Sequence, residues 1–364
     1  MNSIAEIIRS EAARSGPLPF ARFMELALYH PELGYYVTKT HTPGRHGDFY
    51  TSVSTGELFG QLLACQFAEW LEEMRSAECG VRIVEAGAHD GRLAGDILKW
   101  IELKRPKLFS EVEYVILEPS ARRRAWQEET LKEFTSRVRW SDDISSVPGA
   151  TPHSALRIPH WRGVIFSNEL LDAFPVHRFG WDAKEKKWFE WGVAVERGRF
   201  VWAKIQPSAF SLQPSALEAV LPDNYTIETS PAAENWWREA AGVLERGKLL
   251  AIDYGFAADE MFSPARTRGT LRAYFRHHIT DDILANPGGQ DITAHVNFSA
   301  IQKAGEEAGL KTEFFGSQAK FLTEIVKKQF AIRNSQFPIP PRQFQTLTHP
   351  EHLGRAFRVL VQSR

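Results

Sequence analysis

The sequence predicts an α/β fold in which helices cover both faces of a mostly parallel sheet. Short β-branched runs alternate with helical segments from residue 81 onward, and such alternation implies right-handed crossovers between parallel strands. The run VRIVEAGA (81–88) ends in small residues directly before a helix, as in many ligand-binding turns. The C-terminal run FRVLVQS (357–363) predicts an antiparallel last strand.

The elements are predicted in chain order from hydrophobic periodicity and from the residues that begin and end helices. Helices are expected at residues 3–14, 19–29, 55–75, 91–101, 121–134, 231–245, 297–308 and 318–330. Strands are expected at 81–88, 113–120, 163–168, 247–255, 310–316 and 357–363. The stretch GYYVTKTHTPGRHGDFYTS (34–52) is expected to be a loop because it is rich in glycine and aromatic residues.

One segment interrupts the alternation of strands and helices. Residues 186–205 alternate apolar and polar side chains around Arg197-Gly198, which predicts a hairpin. Four segments are therefore expected: an N-terminal helical cap with a lid loop, two parts of the core, and an insertion on the substrate side of the sheet. In chain order these are the cap (1–78), the first core part (79–177), the insertion (178–245) and the second core part (246–364).

Composition excludes several classes of protein. Lys plus Arg (44) balances Asp plus Glu (45), which argues against a general nucleic-acid or membrane-surface binder. Two cysteines cannot form a disulfide framework, and the 12 histidines show no metal-ligand spacing, so no metal is expected. No apolar run has the length of a membrane span, and residues 1–16 do not resemble a signal peptide, so we expect a cytoplasmic protein.

The turn after the first strand carries Gly87 and Gly91, which would let the backbone approach a ligand at the N-terminus of a helix. His89 stands where a dinucleotide-binding motif has its second glycine. The acidic Glu85 just before the turn would repel a pyrophosphate but attract a ligand that carries an ammonium and a sulfonium. The turn therefore favours S-adenosylmethionine over NAD.

Two further acids follow the next two strands. Glu118 ends the second strand, where it can accept hydrogen bonds from both ribose hydroxyls of an adenosine, and Asp143 in WSDDI follows the third, near the expected adenine. The alternative for each is a solvated carboxylate at a strand end or a helix cap.

Several segments together resemble the MidA-like class I methyltransferases, the family of the mitochondrial complex I assembly factor that methylates protein arginine. The similarity runs through these segments: FMELALYHPELGYY, GDFYTS, EAGAHDGRLAGDIL, VILEPS, NELLDAFPVHRF, AIDYG, GTLRAYFRHH, DITAHVNF and GRAFRVL. It implies a Rossmann-like class I methyltransferase sheet, S-adenosylmethionine as cofactor and a protein arginine as acceptor.

The resemblance also assigns residues. The residues that match the family's loop over the cofactor are Gly47, Asp48, Phe49, Thr51 and Ser52. The other matches to its cofactor site are Glu85, Gly87, Gly91, Glu118 and Asn168. The departures from the family pattern are His89 for a glycine, Val53-Ser54 for Pro-Glu and Asn297 for an aspartate.

Four residues are candidates for the chemistry. Glu169 and Asp172 would share one face of a helical turn and grip a guanidinium, while Asp253 and His295 lie in two other matching segments. Six of the chain's 11 tryptophans fall in the insertion and predict a docking surface for a protein substrate. The alternatives are a small-molecule methyltransferase and an assembly factor that binds the cofactor with weak turnover, and a homodimer is left open.

Overall fold

The computed structural model describes residues 3–38, 51–74, 81–147, 161–208, 221–275, 278–331 and 339–364. The chain divides into two compact units, each assembled from three separate stretches of sequence. The large unit comprises Thr42–Leu171, Asn235–Gly255 and Ala300–Arg364. The small unit comprises Met1–His41, Asp172–Glu234 and Phe256–Ser299.

Helices and strands alternate through most of the described chain. The helices are α1 (Ile4–Ser15), α2 (Phe20–Tyr29), α3 (Tyr35–Thr38), α4 (Leu58–Met74), α5 (Arg92–Lys104), α6 (Pro106–Glu111), α7 (Ala121–Thr130), α8 (Pro231–Val243), α9 (Ala258–Met261), α10 (Phe298–Glu307), α11 (Gln318–Ala331), α12 (Pro341–Thr348) and α13 (Leu353–Ala356). The strands are β1 (Leu18–Pro19), β2 (Val81–Ala86), β3 (Val112–Leu117), β4 (Val138–Ser141), β5 (Trp161–Asn168), β6 (His177–Asp182), β7 (Lys187–Glu196), β8 (Arg199–Ile205), β9 (Thr226–Thr229), β10 (Leu244–Phe256), β11 (Arg272–Phe275), β12 (His278–Thr280), β13 (Asp291–Thr293), β14 (Val296–Asn297), β15 (Lys311–Ser317) and β16 (Phe357–Ser363).

The large unit is built on a twisted sheet with the strand order β15-β16-β10-β5-β2-β3-β4. The five strands from β10 to β4 run parallel to their neighbours. Strand β16 runs antiparallel to both β10 and β15, which confirms the antiparallel closing pair predicted from the C-terminal sequence. The sequence order reverses on either side of β2, so the strand ends there form the crevice in which α/β proteins bind ligands.

The register brings the ends of four parallel strands to one level. Ala86 at the end of β2 pairs with Leu117 of β3 and Ser167 of β5, while Asn168 pairs with Ile252 of β10. The residues that come next in the chain therefore lie along one edge of the sheet. They are Gly87, Glu118, Glu169 and Asp253.

A hydrophobic cluster holds α4, α5 and α11 against this sheet. Phe67 of α4 is fully buried, and its ring lies 5.0 Å from that of Phe166 on β5. Ile97 of α5 and Leu322 of α11 are buried in the same cluster. Burying an aliphatic or aromatic side chain of this size contributes about 1.5–3 kcal/mol, so the strand ends rest on a rigid scaffold.

The small unit contains two antiparallel sheets. One has the order β1-β7-β6-β9 with β8 paired to β7, and the other has the order β12-β11-β13. The turn between β7 and β8 has left-handed backbone at Arg197 and Gly198, with φ of 48° and 77°. Two left-handed residues match the strand twist in a two-residue hairpin, so the predicted hairpin is confirmed.

Two features differ from the sequence-based expectations. Residues Tyr35–Thr38, expected to be loop, form the short helix α3, in which Val37 and Thr38 donate backbone hydrogen bonds to the carbonyl of Gly34. None of the four predicted segments lies within one unit. Helix α4 of the cap (1–78) and residues 235–245 of the insertion belong to the large unit, while residues 172–177 of the first core part and Phe256–Ser299 of the second belong to the small one. Both differences depend on tertiary contacts, which a short stretch of sequence does not determine.

Candidate active site

The turn between β2 and α5 has three left-handed residues. Gly87, His89 and Gly91 have φ values of 78°, 48° and 83°. A Cβ on Gly87 would lie 3.1 Å from Leu170 Cδ1, a tight contact that a small shift of Leu170 could relieve, so the left-handed conformation is what favours glycine here. His89 keeps the left-handed backbone that a glycine would adopt there, although this conformation costs a non-glycine residue about 1–2 kcal/mol.

Glu85 lies in the interior beneath this turn. The hydroxyl of Tyr114 donates a 2.6 Å hydrogen bond to Glu85 Oε2, and both side chains are buried. Burial raises the pKa of Glu85 to about 8, so the carboxyl is largely protonated at neutral pH. The sequence argument that Glu85 repels a pyrophosphate through a negative charge is therefore wrong in its physical basis.

Glu118 directly follows β3 and is buried. Its Oε1 accepts a 3.0 Å hydrogen bond from the backbone N–H of Ser120, and its Oε2 lies 3.3 Å from Arg123 Nε and 3.4 Å from Gln127 Nε2. A carboxylate has about four acceptor positions, so these three contacts leave room for a ligand hydroxyl. The ribose assignment of Glu118 stays a prediction.

Gln127 of α7 is a site residue that the sequence reasoning missed. Its fully buried side chain donates to the backbone carbonyl of His89 at 3.0 Å and accepts from Trp140 Nε1 at 2.8 Å. Together with the contact to Glu118, these bonds tie the glycine turn to the end of β3. The sequence signal for this role was weak, because Gln127 is one polar residue among many in the polar helix α7.

Asp143 caps a short 3-10 helix at Ile144–Ser146. Its Oδ1 accepts from Ser145 Oγ at 2.6 Å and from the backbone N–H of Ser146 at 2.9 Å, and the Ser145 bond in particular lowers the pKa of Asp143. The neighbouring Asp142 forms an ion pair with Arg124. Asp143 thus has the geometry of the helix cap considered as its alternative, and adenine binding by Asp143 stays a prediction.

Asn168 and Glu169 stand at the end of β5. Asn168 Nδ2 donates to Glu169 Oε1 at 3.1 Å. Burial, followed by the charge of Asp253, raises the pKa of Glu169 to about 8, although the Asn168 bond and the nearby backbone N–H of Ser52 lower it. Glu169 itself is left-handed with φ of 53°, a conformation that packing around it must enforce.

Asp253 fixes the backbone that follows Glu169. Its Oδ2 accepts from the N–H groups of Leu170 and Leu171 at 3.0 and 2.8 Å, and its Oδ1 accepts from the N–H of Tyr254 at 2.8 Å. The side chain is fully buried. Asp253 thus positions Glu169 through the backbone, and direct participation of Asp253 in catalysis stays a prediction.

The described part of the predicted lid loop begins at Thr51. Thr51 and Ser54 exchange hydrogen bonds between side chain and backbone, while the buried Ser52 hydroxyl lies 3.0 Å from Gln318 Oε1. The Ser52 side chain is therefore engaged within the protein. The other predicted lid residues, Gly47, Asp48 and Phe49, lie outside the described residues.

Asp172 and His295 belong to the small unit. Asp172 is buried, and its backbone carbonyl accepts a 2.9 Å hydrogen bond from Ala294, the neighbour of His295. The expected helical face shared with Glu169 does not form, because Glu169 is left-handed and the short 3-10 helix begins only at Leu171. The two acids therefore do not share the helical geometry expected from their spacing.

His295 lies against aromatic and basic side chains. Its ring is 4.9 Å from that of Phe256, and its backbone N–H donates to Thr270 Oγ1 at 3.0 Å. Burial first, and then the charges of Arg272 and Arg266, lower the pKa of His295 to about 4. A neutral imidazole with this pKa is a weak base at neutral pH.

The geometry is thus a glycine turn, an acid after the next strand and a buried carboxyl at the end of β5, all along one edge of a parallel sheet. A model of the S-adenosyl-L-methionine-dependent methyltransferase family matches residues 62–316. The chain belongs to this family. It is a methyltransferase that uses S-adenosylmethionine, and its sheet is the Rossmann-like class I type expected from the sequence.

Individual relatives agree. A crystal structure from Burkholderia thailandensis with bound S-adenosyl-homocysteine is 34% identical, with a TM-score of 0.84 over 99% of this chain and 92% of that one. The Drosophila melanogaster protein named "Protein arginine methyltransferase NDUFAF7 homolog, mitochondrial" is 27% identical over 99% of this chain and 84% of its own length. The Homo sapiens protein arginine methyltransferase NDUFAF7 is 29% identical over 94% of this chain and 79% of its length.

These relatives correct the expected location. The NDUFAF7 proteins are named as mitochondrial, which contradicts the cytoplasmic location expected from composition and from the N-terminal sequence. Among the described residues, no helix combines the length and apolar character needed to span a membrane, and no cluster of three or more His, Cys, Asp or Glu has a geometry suited to a metal ion.

The residues at the strand ends fit the methyltransferase cofactor. Asn168 Oδ1 is buried and has no hydrogen-bond partner among the described residues, so it offers an acceptor for the ammonium of the methionine part. Glu118 keeps an acceptor position for a ribose hydroxyl. At the turn, Gly87 and Gly91 adopt the left-handed backbone that lets the chain turn tightly before α5.

Proposed function

We propose that this methyltransferase transfers a methyl group to an arginine side chain of a protein, with Glu169 as the carboxylate that orients the guanidinium. The observation that carries the proposal is the environment of Glu169. It is a carboxyl with a pKa raised to about 8 at the end of β5, beside the glycine turn. The names of the NDUFAF7 relatives support the same acceptor.

The chemistry of the acceptor explains why such a carboxyl is useful. A guanidinium has a pKa above about 12 and carries its charge at neutral pH, so its nitrogen is a weak nucleophile until a proton leaves. A carboxyl with a raised pKa is a better proton acceptor than an ordinary glutamate. An arriving guanidinium favours the ionised form of Glu169, and the opposite charges then hold the acceptor in place.

The balance of the reaction is simple. The bound cofactor supplies a methyl group on a positively charged sulfur. The guanidinium nitrogen forms the new bond to that methyl while the bond from sulfur to carbon breaks, and the proton released from the nitrogen passes to Glu169. In-line transfer requires above all that the reacting groups are aligned. The hydrogen bonds of Asp253 to the backbone after Glu169, and of the Asn168 amide to Glu169, hold this carboxyl in position.

Other residues complete the proposed site. Glu118 binds the ribose, Asn168 binds the methionine ammonium, and the backbone of Gly87 and Gly91 carries the cofactor. A role for Asp172 as a second acid for the guanidinium stays a prediction from the sequence. Of the described lid residues, Ser52 lies beside Glu169, and its backbone N–H opposes the rise of the pKa of that carboxyl.

The test combines transfer with binding. The enzyme is incubated with methyl-labelled S-adenosylmethionine and a protein extract, and labelled bands are analysed by mass spectrometry. We expect label on arginine, loss of that label in Glu169→Gln, and unchanged cofactor affinity by calorimetry. Glu129→Gln, at an acid on α7 whose side chain is 78% exposed, is the matched control. Label found only on small molecules would overturn the protein-arginine proposal.

A further inference from the structure

The small unit carries a pocket on one face of its larger sheet. The pocket is open to solvent and has a volume of about 180 Å³, enough for one side chain. Strands β6, β7, β8 and β9 and the loop before Gly269 supply its lining. The lining residues are Arg178, Trp191, Trp202, Asn224, Thr226, Thr267 and Arg268.

The loop side of the pocket is fixed by backbone contacts. The N–H of Thr226 donates to the carbonyl of Thr267 at 3.0 Å, and Thr226 also forms a parallel β-bridge with Arg268. Arg178 Nη2 donates to the carbonyl of Arg268 at 3.1 Å. The pocket is therefore a preformed feature of the sheet and of the loop attached to it.

The pocket carries an excess of positive charge. The Arg178 guanidinium lies 4.8 Å from the Trp202 ring centroid and 3.4 Å from Glu228 Oε1, so one buried carboxylate balances one arginine. Arg268 is exposed, and its side chain has no hydrogen bond or ion pair with any residue that the structure describes. Arg178 Nε is the atom that faces Glu228 Oε1, and the two form an ion pair without a hydrogen bond.

The tryptophans of this region divide into two groups. Trp181 and Trp237 are buried, and Trp188 packs against Trp181 at a ring distance of 5.3 Å, so these side chains belong to hydrophobic cores. Trp191 and Trp202 are only partly buried, and both line the pocket. Trp188 and Trp236 are partly buried as well, so what distinguishes Trp191 and Trp202 is their place beside the two arginines of the pocket.

We propose that this pocket binds an acidic side chain, Asp or Glu, of the protein substrate. The inference rests on the proposed function, which makes the partner a protein substrate. It adds that this substrate presents an acidic side chain to the pocket. Arg178 Nε faces Glu228 and Nη2 binds the Arg268 carbonyl, so Nη1 and the second hydrogen of Nη2 are the donors left for a carboxylate. The exposed Arg268 supplies the positive charge that Glu228 does not compensate. The indole rings cover the aliphatic part of the incoming side chain.

The experiment measures binding without methyl transfer. Two fluorescent libraries of capped peptides with otherwise random sequence carry either a fixed Glu or a fixed Gln, and fluorescence anisotropy reports their affinity for the full chain. We expect the Glu library to bind about tenfold more tightly, as for a charge-assisted hydrogen bond. The preference should disappear in Arg268→Gln and persist in Arg199→Gln, an exposed arginine on β8 outside the pocket.

The remaining outcomes separate the possible explanations. Arg178→Lys keeps the charge beside Glu228, so the chain should still fold, but it loses the remaining guanidinium donors and should lower the preference. Equal affinity for both libraries, an equal loss in Arg199→Gln, or free glutamate binding as tightly as the Glu library would overturn the proposal. Methyl transfer to arginine peptides is measured in parallel: transfer without a Glu preference refutes the pocket alone, and a Glu preference without transfer refutes the proposed function alone.

Discussion

The Tyr114 hydroxyl donates a 2.6 Å hydrogen bond to Glu85 beneath the glycine turn, where both side chains are shielded from water. Burial raises the pKa of Glu85 to about 8, the Tyr114 bond opposes that rise, and the charge of Asp90 adds to it. The bond gives the Tyr114 hydroxyl and Glu85 Oε2 a partner in the interior. A carboxyl can therefore stand inside the sheet, at a cost in stability that depends on pH.

The first prediction is that Glu85→Gln stabilises the protein more at pH 8.5 than at pH 5. Between the ordinary pKa of 4.5 and the folded value of about 8, the native state holds a proton that the unfolded chain has released. The free energy of unfolding therefore falls as pH rises through this window, by roughly 2–4 kcal/mol from this group. Glutamine does not titrate, so denaturant unfolding of the variant should show a smaller fall.

Tyr114→Phe provides the opposing variant for this measurement. Removing the hydroxyl leaves the ionised form of Glu85 without its donor, so the pKa should rise further and the variant should lose most stability at the alkaline end. Parallel curves for wild type, Glu85→Gln and Tyr114→Phe across pH 5–8.5 would contradict the assignment of a perturbed carboxyl to Glu85.

The second prediction concerns His89. Because its φ is 48°, glycine relieves backbone strain there but adds entropy to the unfolded chain, and the two effects nearly cancel. His89→Gly should keep the unfolding free energy within about 1 kcal/mol of wild type, with cofactor affinity retained. His89→Val, which is β-branched, should lose about 2 kcal/mol or more. Equal stability of the two variants in thermal unfolding would argue against a left-handed residue at this position.

The third prediction concerns Asp253. Asp253→Asn replaces one acceptor oxygen by a donor among three backbone N–H groups, so the unfolding free energy should fall by about 1–3 kcal/mol. The methyl-transfer rate should fall with it, because Glu169 loses its fixed backbone. Asp259→Asn, at an exposed aspartate of α9, is the control and should change neither quantity. Full stability in Asp253→Asn would show that these bonds contribute little.

Much of the site's position could be predicted from the sequence. Parallel strands end at one edge of a sheet, so residues directly after three predicted strands had to lie near one another. This reasoning brought together Gly87, Glu118 and Asn168, which follow or end β2, β3 and β5 in register. The hairpin turn at Arg197-Gly198 was equally predictable, because its chemistry is local.

What could not be predicted depends on contacts between residues far apart in the chain. Asp253, more than 80 positions later, accepts a hydrogen bond from the N–H that follows Glu169 and so holds its left-handed backbone. No local sequence pattern predicts this contact. The protonated state of Glu85 follows from burial, which a one-dimensional pattern does not give. The bonds of Gln127 to His89 and Trp140 likewise exist only after α7 packs against the turn.

The fourth prediction tests that role of Gln127. Gln127→Met keeps a similar volume but removes the bonds to the His89 carbonyl and the Trp140 indole, so the turn should lose its tie to the end of β3. Cofactor affinity should fall by about tenfold, with a smaller effect on overall stability. Calorimetric titration measures the affinity, and Gln345→Met on α12, far along the chain, is the control. Unchanged affinity in a folded Gln127→Met would remove the residue from the site.

The last prediction is the pH dependence of methyl transfer. Since proton acceptance requires ionised Glu169, kcat/KM for an arginine-containing peptide should rise with pH and level off near the pKa of about 8. The charge of Asp253 contributes to that high value, so Asp253→Asn should move the rise to lower pH even as it reduces the maximum rate. Residual activity in Glu169→Gln should lack the rise. A wild-type profile that is flat between pH 6 and 9 would exclude Glu169 as the proton acceptor, because that role requires the rate to rise as Glu169 ionises.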